Sequence, residues 1–229
     1  MQQHRIGILG GTGKEGGGLA TRLAFAGHNV TIGSRNAEKA RACAEEFRRL
    51  SQLGIAAGDN REAVLASDIA ILAVPYSAQL STLADVKDEL QGKILIDATV
   101  PLVPPKVSQV HLPKEGSAAV AAQGLLGPGV RVVSAFQNVS ANHLRDLSHP
   151  VDCDVIVCGN DPAACDTVIG VIHSIRLRGF YGGPLCNSAA VEAMTSILIT
   201  INRRYKVSAS GIQITGVPGL RQAAGHDAA

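Results

Sequence analysis

Runs of apolar residues alternate with helix-like stretches through the first half of the chain. Five of these runs have the pattern of buried strands, at residues 6–9, 29–32, 69–74, 94–96 and 130–133. Between them lie a weaker strand near residue 55 and helical patterns at 19–26, 37–50 and 62–67. Strand and helix alternating at this spacing are typical of a parallel sheet covered by helices on both faces. We therefore predict an α/β fold with a doubly wound parallel sheet.

The pattern changes after about residue 135. Prolines at positions 101, 104, 105 and 113 predict an irregular loop before that point. Beyond it we expect a strand at 155–158, a helix at 162–175 and a long apolar helix at 188–204. These segments predict a main domain at 1–135, a smaller C-terminal helical and αβ part at 136–216, and a flexible tail at 217–229.

A glycine-rich turn connects the first predicted strand to the first predicted helix. Gly11, Gly13 and Gly16 have the Gly-x-Gly-x-x-Gly spacing of a Rossmann dinucleotide-binding turn, in the strand-to-helix context that the motif requires. In this interpretation Gly11 permits the tight turn, Gly13 lets a pyrophosphate approach the backbone, and Gly16 lets the helix pack on the strand. The amides of the helix N-terminus would then face the phosphates.

The end of the second strand favours NADP over NAD. An NAD site usually has Asp or Glu at this point, where the carboxylate binds the ribose hydroxyls. This chain has Ser34 and Arg35, followed by Lys39 one helical turn later. A hydroxyl, a guanidinium and an ammonium suit a 2′-phosphate, whereas a carboxylate would repel it.

Composition excludes several classes of function. The net charge is +2 without a Lys/Arg run, which argues against nucleic acid as a partner. The chain has five cysteines, an odd number, and no pattern of a secretory signal, so we expect reduced thiols and a cytoplasmic protein. No apolar run approaches the roughly 20 residues that span a bilayer, so we expect no membrane segment.

Motifs for acid–base or nucleophilic catalysis are missing from the sequence. No tyrosine begins a Tyr-x-x-x-Lys motif, no Gly-x-Ser-x-Gly elbow is found, and the histidines lie in no recognisable catalytic pattern. The residues thus predict a cofactor site without an acid–base apparatus.

Several motifs together resemble the NADPH-dependent reductases of the deazaflavin coenzyme F420. They extend to about residue 216 and include Gly10-Gly11-Thr12-Gly13, Gly33-Ser34-Arg35, Val74-Pro75-Tyr76, Pro101-Leu102-Val103-Pro104, Val157-Cys158-Gly159 and Gly183-Pro184-Leu185 followed by Asn187-Ser188. The resemblance implies reversible hydride transfer between NADP(H) and F420, with the C-terminal part completing the deazaflavin site.

The resemblance also implies roles for individual residues. For the pyrophosphate these are Thr12, Gly13, Lys14 and Glu15, and for the 2′-phosphate Ser34, Arg35 and Lys39. The rest of the NADP site would be lined by Val74, Leu80, Val100 and Ala141. The deazaflavin would lie against Gln137, Asn138, Val139, Asn187 and Ser188. Two adjacent positions depart from the family, whose members typically carry His-Thr where this chain has Gln137-Asn138.

Two other functions remain open from the residues themselves. One is an NADP-dependent reductase of a small imine or carbonyl, which would need a proton donor. The other is a non-catalytic NADP-sensing protein. The apolar stretch 189–201 is a candidate homodimer interface or, alternatively, a core helix.

Overall fold

The computed structural model describes residues 2–51, 54–148 and 150–217 and contains one eight-stranded sheet. Its strands are β1 (Arg5–Leu9), β2 (Asn29–Ser34), β3 (Ala56–Asp59), β4 (Ile69–Leu72), β5 (Ile94–Asp97), β6 (Arg131–Ser134), β7 (Asp154–Gly159) and β8 (Arg178–Tyr181). The α-helices are α1 (Lys14–Phe25), α2 (Ala37–Ser51), α3 (Asn60–Leu65), α4 (Gln79–Asp85), α5 (Ala118–Leu126), α6 (Ala141–Arg145), α7 (Pro162–Ser174) and α8 (Ser188–Tyr205). The α/β fold with a C-terminal helical part is thereby confirmed.

The strand order is β3-β2-β1-β4-β5-β6-β7-β8. All neighbouring strands are parallel except β6 and β7, which pair antiparallel through Val133 with Gly159 and Ser134 with Cys158. Chain connections leave β1 in one direction and β4 in the other, which makes the gap between these strands the topological switch point of the sheet. Ligands of open α/β sheets bind at the carboxyl ends of the strands at such a point.

The two halves of the chain share one core. Ile8 and Ile32 of the first half belong to the same buried cluster as Val155, Val168 and Ile172 of the second. A second buried cluster joins Leu9 and Leu72 to Leu83 of α4 and Ala122 of α5. Because helices bury apolar side chains on both faces of the sheet, the predicted doubly wound arrangement is present.

Helix α6 approaches α1 closely because α1 carries glycines on the facing side. A Cβ atom on Gly18 would lie 2.7 Å from Cβ of Leu144, and one on Gly17 would lie 3.3 Å from Nη2 of Arg145. The buried Arg22 then fastens the end of α6, since its guanidinium donates to the carbonyl oxygens of Leu144 at 3.0 Å, His143 at 2.7 Å and Asp146 at 2.5 Å. The start of the C-terminal part is thus tied to the first helix of the chain.

The proline-containing segment between β5 and α5 forms no helix or strand from residue 98 to 117, as predicted. It runs along α8, where Ser196 Oγ donates to the carbonyl oxygen of Gln109 at 3.2 Å and Arg203 Nη1 donates to Ser108 Oγ at 3.0 Å.

One segment, Leu185–Tyr205, is long and apolar enough to cross a membrane by length and composition alone, with a mean hydropathy of 1.2. The sequence argument that no stretch approaches this length is therefore too strong. Core helices of soluble proteins pass the same test, and α8 packs on the rest of the fold through Val191, Glu192 and Leu198. The segment is weak evidence for a membrane span.

Candidate functional site

The turn after β1 is shaped by Gly10. Its φ is +79°, a left-handed conformation that glycine adopts without strain, and its amide and that of Gly11 both donate to the carbonyl oxygen of Gly33, at 3.1 and 3.0 Å. The tight turn assigned to Gly11 therefore belongs to Gly10. Gly11 instead packs on β2, since a Cβ there would lie 2.6 Å from Cβ of Ile32.

Gly16 has the packing role predicted for it. A Cβ on this residue would lie 2.6 Å from the carbonyl oxygen of Gly10 and 2.9 Å from Cα of Gly11. Helix α1 begins at Lys14, and its N-cap, Gly13, makes no side-chain capping hydrogen bond. The first-turn amides of α1 are thus left without a side-chain acceptor, an arrangement that favours an anion at this end of the helix.

Glu15 is the one acidic side chain in this first turn. The residue is half-buried, and its Oε1 is enclosed with no hydrogen-bond partner in the part of the chain that the structure describes. Burial raises the pKa of this carboxyl to about 8. A carboxyl that keeps its proton at neutral pH does not repel a neighbouring phosphate.

A cleft of about 180 Å³ lies at the carboxyl ends of β1, β2 and β4. Its wall contains six of the residues predicted from the sequence, namely Thr12, Gly13, Ser34, Arg35, Lys39 and Val74. Asn60, at the start of α3, also lines it and was not predicted. The cleft is at the switch point of the sheet, where the fold itself leads us to expect a ligand.

The β2 end of this cleft is cationic. Arg35 and Lys39 are exposed, and within the described residues neither forms an ion pair. Asn36 caps α2, since its Oδ1 accepts from the amide of Lys39 at 2.9 Å and its own amide donates to Ser34 Oγ at 3.2 Å. The cap fixes the chain between the two cations, and both are available for an anion.

A buried polar network follows the end of β5, beside the cleft. Asp97 is fully buried, and its carboxylate accepts from Nε2 of Gln79 at 2.6 Å and from the amide of Thr99 at 2.8 Å. Nε2 of Gln79 also donates to the carbonyl oxygen of Ala118, at 2.9 Å. Burial raises the pKa of Asp97. The network connects α4, which borders the cleft at Thr82, to α5.

Glu192 of α8 continues this network. It is 1% exposed, and its two oxygens accept from the amides of Ala118 at 2.7 Å and Ala119 at 3.1 Å. Burial raises its pKa to about 7, and the negative charge of Asp97 adds to the effect. No sequence motif marks Glu192, because its partners are backbone amides more than 70 positions away.

Gln137 and Asn138 are buried, and their N–H groups donate to protein acceptors. Nε2 of Gln137 donates to the carbonyl oxygen of Asp97 at 2.7 Å and to Ser134 Oγ at 2.8 Å. Nδ2 of Asn138 donates to the carbonyl oxygen of Asp154 at 2.6 Å. The N–H donors of both amides are thus used by protein acceptors. Within the described residues, Oε1 of Gln137 and Oδ1 of Asn138 are buried without hydrogen-bond partners.

The remaining predicted residues lie in several environments. Val139 is buried, Ala141 and Val100 are half-buried, and Leu80 is 45% exposed on α4 outside the wall of the cleft. Asn187 is exposed and donates to the carbonyl oxygen of Gly182 at 2.8 Å. Ser188 is fully buried, and its hydroxyl donates to Ser117 Oγ at 2.7 Å, which holds α8 to the start of α5.

Known proteins resemble the chain over nearly its whole length. Residues 5–101 match the family model described as NADP oxidoreductase, coenzyme F420-dependent. The F420-dependent NADP reductases of Methanocaldococcus jannaschii and Methanothermobacter marburgensis are 42% and 40% identical to it, in each case over 93% of this chain and 99% of the relative.

Solved structures share the fold. A protein from Arthrobacter sp. FB24 described as an F420-dependent NADP reductase superimposes with a TM-score of 0.79 at 24% identity, over 93% of this chain and 100% of that one. A reductive aminase from Aspergillus terreus superimposes with a TM-score of 0.62 at 20% identity, over 90% of this chain and 63% of that one. At these identities the likeness concerns the fold alone. The sequence relatives decide the family, and the chain belongs to the F420-dependent NADP reductases, oxidoreductases that use NADP and coenzyme F420.

Proposed function

We propose that this chain passes a hydride reversibly between NADP(H) and coenzyme F420, with NADP in the cleft at the ends of β1, β2 and β4. The observation that carries the proposal is the pair of unpaired cations, Arg35 and Lys39, beside Ser34 in that cleft. A 2′-phosphate fits these three side chains, and no carboxylate stands at the end of β2 to oppose it.

The pyrophosphate of NADP fits the turn before α1. Thr12 and Gly13 line the cleft there, and the uncapped amides of Lys14, Glu15 and Gly16 supply donors. Gly11 keeps the turn against β2, and the protonated Glu15 adds no opposing charge. Val74 continues the wall toward β4, and we assign the more distant Leu80, Val100 and Ala141 to the nicotinamide end of the site.

The deazaflavin side of the site is supported by unpartnered acceptors. Oε1 of Gln137 and Oδ1 of Asn138 are buried with no protein donor among the described residues, although their N–H groups are already used. A ring with N–H groups could satisfy such oxygens after a small movement of the segment that includes Val139. Asn187 is the N-cap of α8 and Ser188 its first residue. We assign both to the opposite wall, Asn187 through contact and Ser188 because it fixes the helix.

When bound, the two cofactors would supply the redox chemistry, which is the transfer of a hydride between the nicotinamide and the deazaflavin with uptake or release of one proton. The residues of the cleft would hold the two rings next to each other. Correct positioning of two reactants supplies roughly 7–11 kcal/mol in favourable cases. This role agrees with the lack of recognisable acid–base motifs in the sequence.

Mixing the purified protein with NADPH and oxidised F420 tests the proposal. We expect the visible absorbance of the deazaflavin to disappear, and to do so faster with NADPH than with NADH. Oxidation of NADPH by a small imine or carbonyl without loss of the F420 signal would instead support the alternative reductase. Binding of NADPH without hydride transfer to any acceptor would support a sensor.

We also propose that the protein is a cytoplasmic homodimer assembled through α8. Ile197 and Tyr205 are 46% and 71% exposed on this helix, and Val110 and Leu112 are 48% and 58% exposed in the segment that runs along it. A second copy would cover these apolar side chains. Sedimentation velocity at several concentrations tests the dimer, and a monomer throughout the range would contradict it.

The cytoplasmic location is supported by the cysteines. All five are free thiols, as a reducing compartment would keep them.

A further inference from the structure

Asn60 is the one cleft-lining residue near the cations for which the sequence suggested no role. It stands at the start of α3, directly after β3, and shares the cleft with Ser34, Arg35 and Lys39. Its neighbours Asp59 and Glu62 form a capping box in which Asp59 Oδ1 accepts from the amide of Glu62 at 2.7 Å, and Glu62 Oε2 from the amide of Asp59 at 2.8 Å. Both carboxylates are therefore engaged with backbone amides.

The carboxamide of Asn60 has different surroundings at its two ends. Oδ1 is buried, has no hydrogen-bond partner among the described residues, and lies against the backbone of Gly33, since a Cβ on Gly33 would be 2.9 Å from it. Nδ2 is accessible to solvent, and it donates to no protein atom among the described residues. The end of the amide left for a ligand is thus the one that carries two N–H donors.

The absence of a side chain at Gly33 makes this placement possible. A Cβ there would also lie 2.9 Å from Cα of Asn60 and 3.0 Å from Cβ of Ala63, so any larger residue would push α3 away from the end of β2. Gly33 immediately precedes Ser34 and Arg35. The short stretch at the end of β2 and just after it therefore carries two of the side chains assigned to the 2′-phosphate and makes room for a third residue from α3.

We propose that Asn60 binds the 2′-phosphate of NADP through Nδ2 and contributes to the preference for NADP over NAD. The inference rests on the proposed function, because it requires the 2′-phosphate to lie at Ser34, Arg35 and Lys39. A neutral amide adds a directed donor to this cationic site without adding charge. Hydrogen bonds to charged groups are worth more than those between neutral groups.

Calorimetric titration with adenosine 2′,5′-bisphosphate and with 5′-AMP tests the inference without any turnover. We expect Asn60→Ala to weaken binding of the bisphosphate about tenfold and binding of 5′-AMP less than about twofold. The near-isosteric Asn60→Asp should weaken the bisphosphate further, since it replaces the donor with a negative charge. Asn29→Ala, an exposed asparagine at the opposite end of β2, is the matched control and should change neither affinity.

Two outcomes would overturn the proposal. An equal loss for both ligands would place Asn60 on the adenosine that they share, and unchanged affinity for the bisphosphate in both variants would exclude any contact. Arg35→Glu distinguishes this failure from failure of the proposed function. If Arg35→Glu abolishes selectivity for the bisphosphate while the Asn60 variants do not, only the role of Asn60 is wrong. If none of the variants alters selectivity, the 2′-phosphate lies elsewhere.

Discussion

The carboxylate of Glu192, in α8, accepts a hydrogen bond from the amide of Ala118, the first residue of α5, at 2.7 Å. The hydrogen bond thus holds α8, whose start we assign to the deazaflavin site, to α5, which packs on the sheet that we assign to NADP. The link also places an acidic group with a pKa of about 7 in the interior of the protein. Its protonation therefore changes within the physiological range.

Glu192 makes stability depend on pH in a defined direction. Its pKa in the folded protein lies above the ordinary value of 4.5, so the folded state retains a proton that the unfolded state loses. The free energy of unfolding should accordingly fall as pH rises from about 4.5 to about 7. In Glu192→Gln this component should be missing, and denaturant titrations of both proteins across the range measure the difference. Parallel pH profiles would contradict the prediction.

Arg35→Glu should weaken binding of NADPH at least tenfold, about 1.4 kcal/mol, because it replaces a cation beside the 2′-phosphate with an anion. Binding of NADH, which lacks that phosphate, should change little. Fluorescence titration with each nucleotide measures both affinities. Arg41→Glu, the same charge reversal at an exposed position further along α2 and outside the wall of the cleft, is the control. An equal loss for both nucleotides in Arg35→Glu would remove the 2′-phosphate from this position.

Gly16→Ala should lower the free energy of unfolding by roughly 1–3 kcal/mol and weaken dinucleotide binding. The added methyl group would lie 2.6 Å from a backbone oxygen of the turn, which cannot yield without moving the phosphate-binding amides. Thermal denaturation and NADPH titration measure the two effects. Gly170→Ala, at an exposed position of α7 where the new Cβ would have no neighbour within 4 Å outside its own helix backbone, should instead stabilise the helix by up to about 1 kcal/mol. A tolerated Gly16→Ala would contradict the close packing of turn and helix.

Arg22→Leu should loosen α6 more than any other helix. Its buried guanidinium donates to three carbonyl oxygens around the end of α6, and the substitution leaves those oxygens without this donor. Each hydrogen bond to a charged group contributes about 1.5–3 kcal/mol to the stability of the folded protein. Hydrogen exchange of residues 141–145 measures the local effect. Exchange that rises equally throughout the protein would show a global loss of stability instead.

Local patterns in the sequence predicted six residues that the structure brings together in one cleft. The glycine spacing and the Ser34-Arg35 pair depend on neighbours within one turn or one strand, and the structure brings them to one cleft. Asn60 was missed because it follows a four-residue strand whose own pattern is weak. Strand β8 was missed for a similar reason, because it is short and begins with a charged residue. Arg178 forms an ion pair with Asp154 of β7, at 2.6 Å, which the local sequence does not indicate.

The deazaflavin side was harder to predict because its polar residues have partners far away in the sequence. Asn138 and Ser188 have residue types that suit a ligand site, yet their hydrogen bonds go to Asp154 and Ser117. Gln79, Asp97 and Glu192 form the buried network without any motif. Side-chain type indicates that a polar group needs a partner, but only the tertiary fold decides whether that partner is protein or ligand.

The antiparallel pairing of β7 with β6 has a consequence for dividing the chain. A fragment ending at residue 135 would keep every residue assigned to the 2′-phosphate, but β6 would become an unprotected edge with open backbone groups. Such edges recruit strands from other molecules, so the fragment should aggregate even though its nucleotide cleft is complete. A minimal NADP-binding module taken from this protein would have to retain β7 or carry a charged residue in β6 that blocks intermolecular pairing.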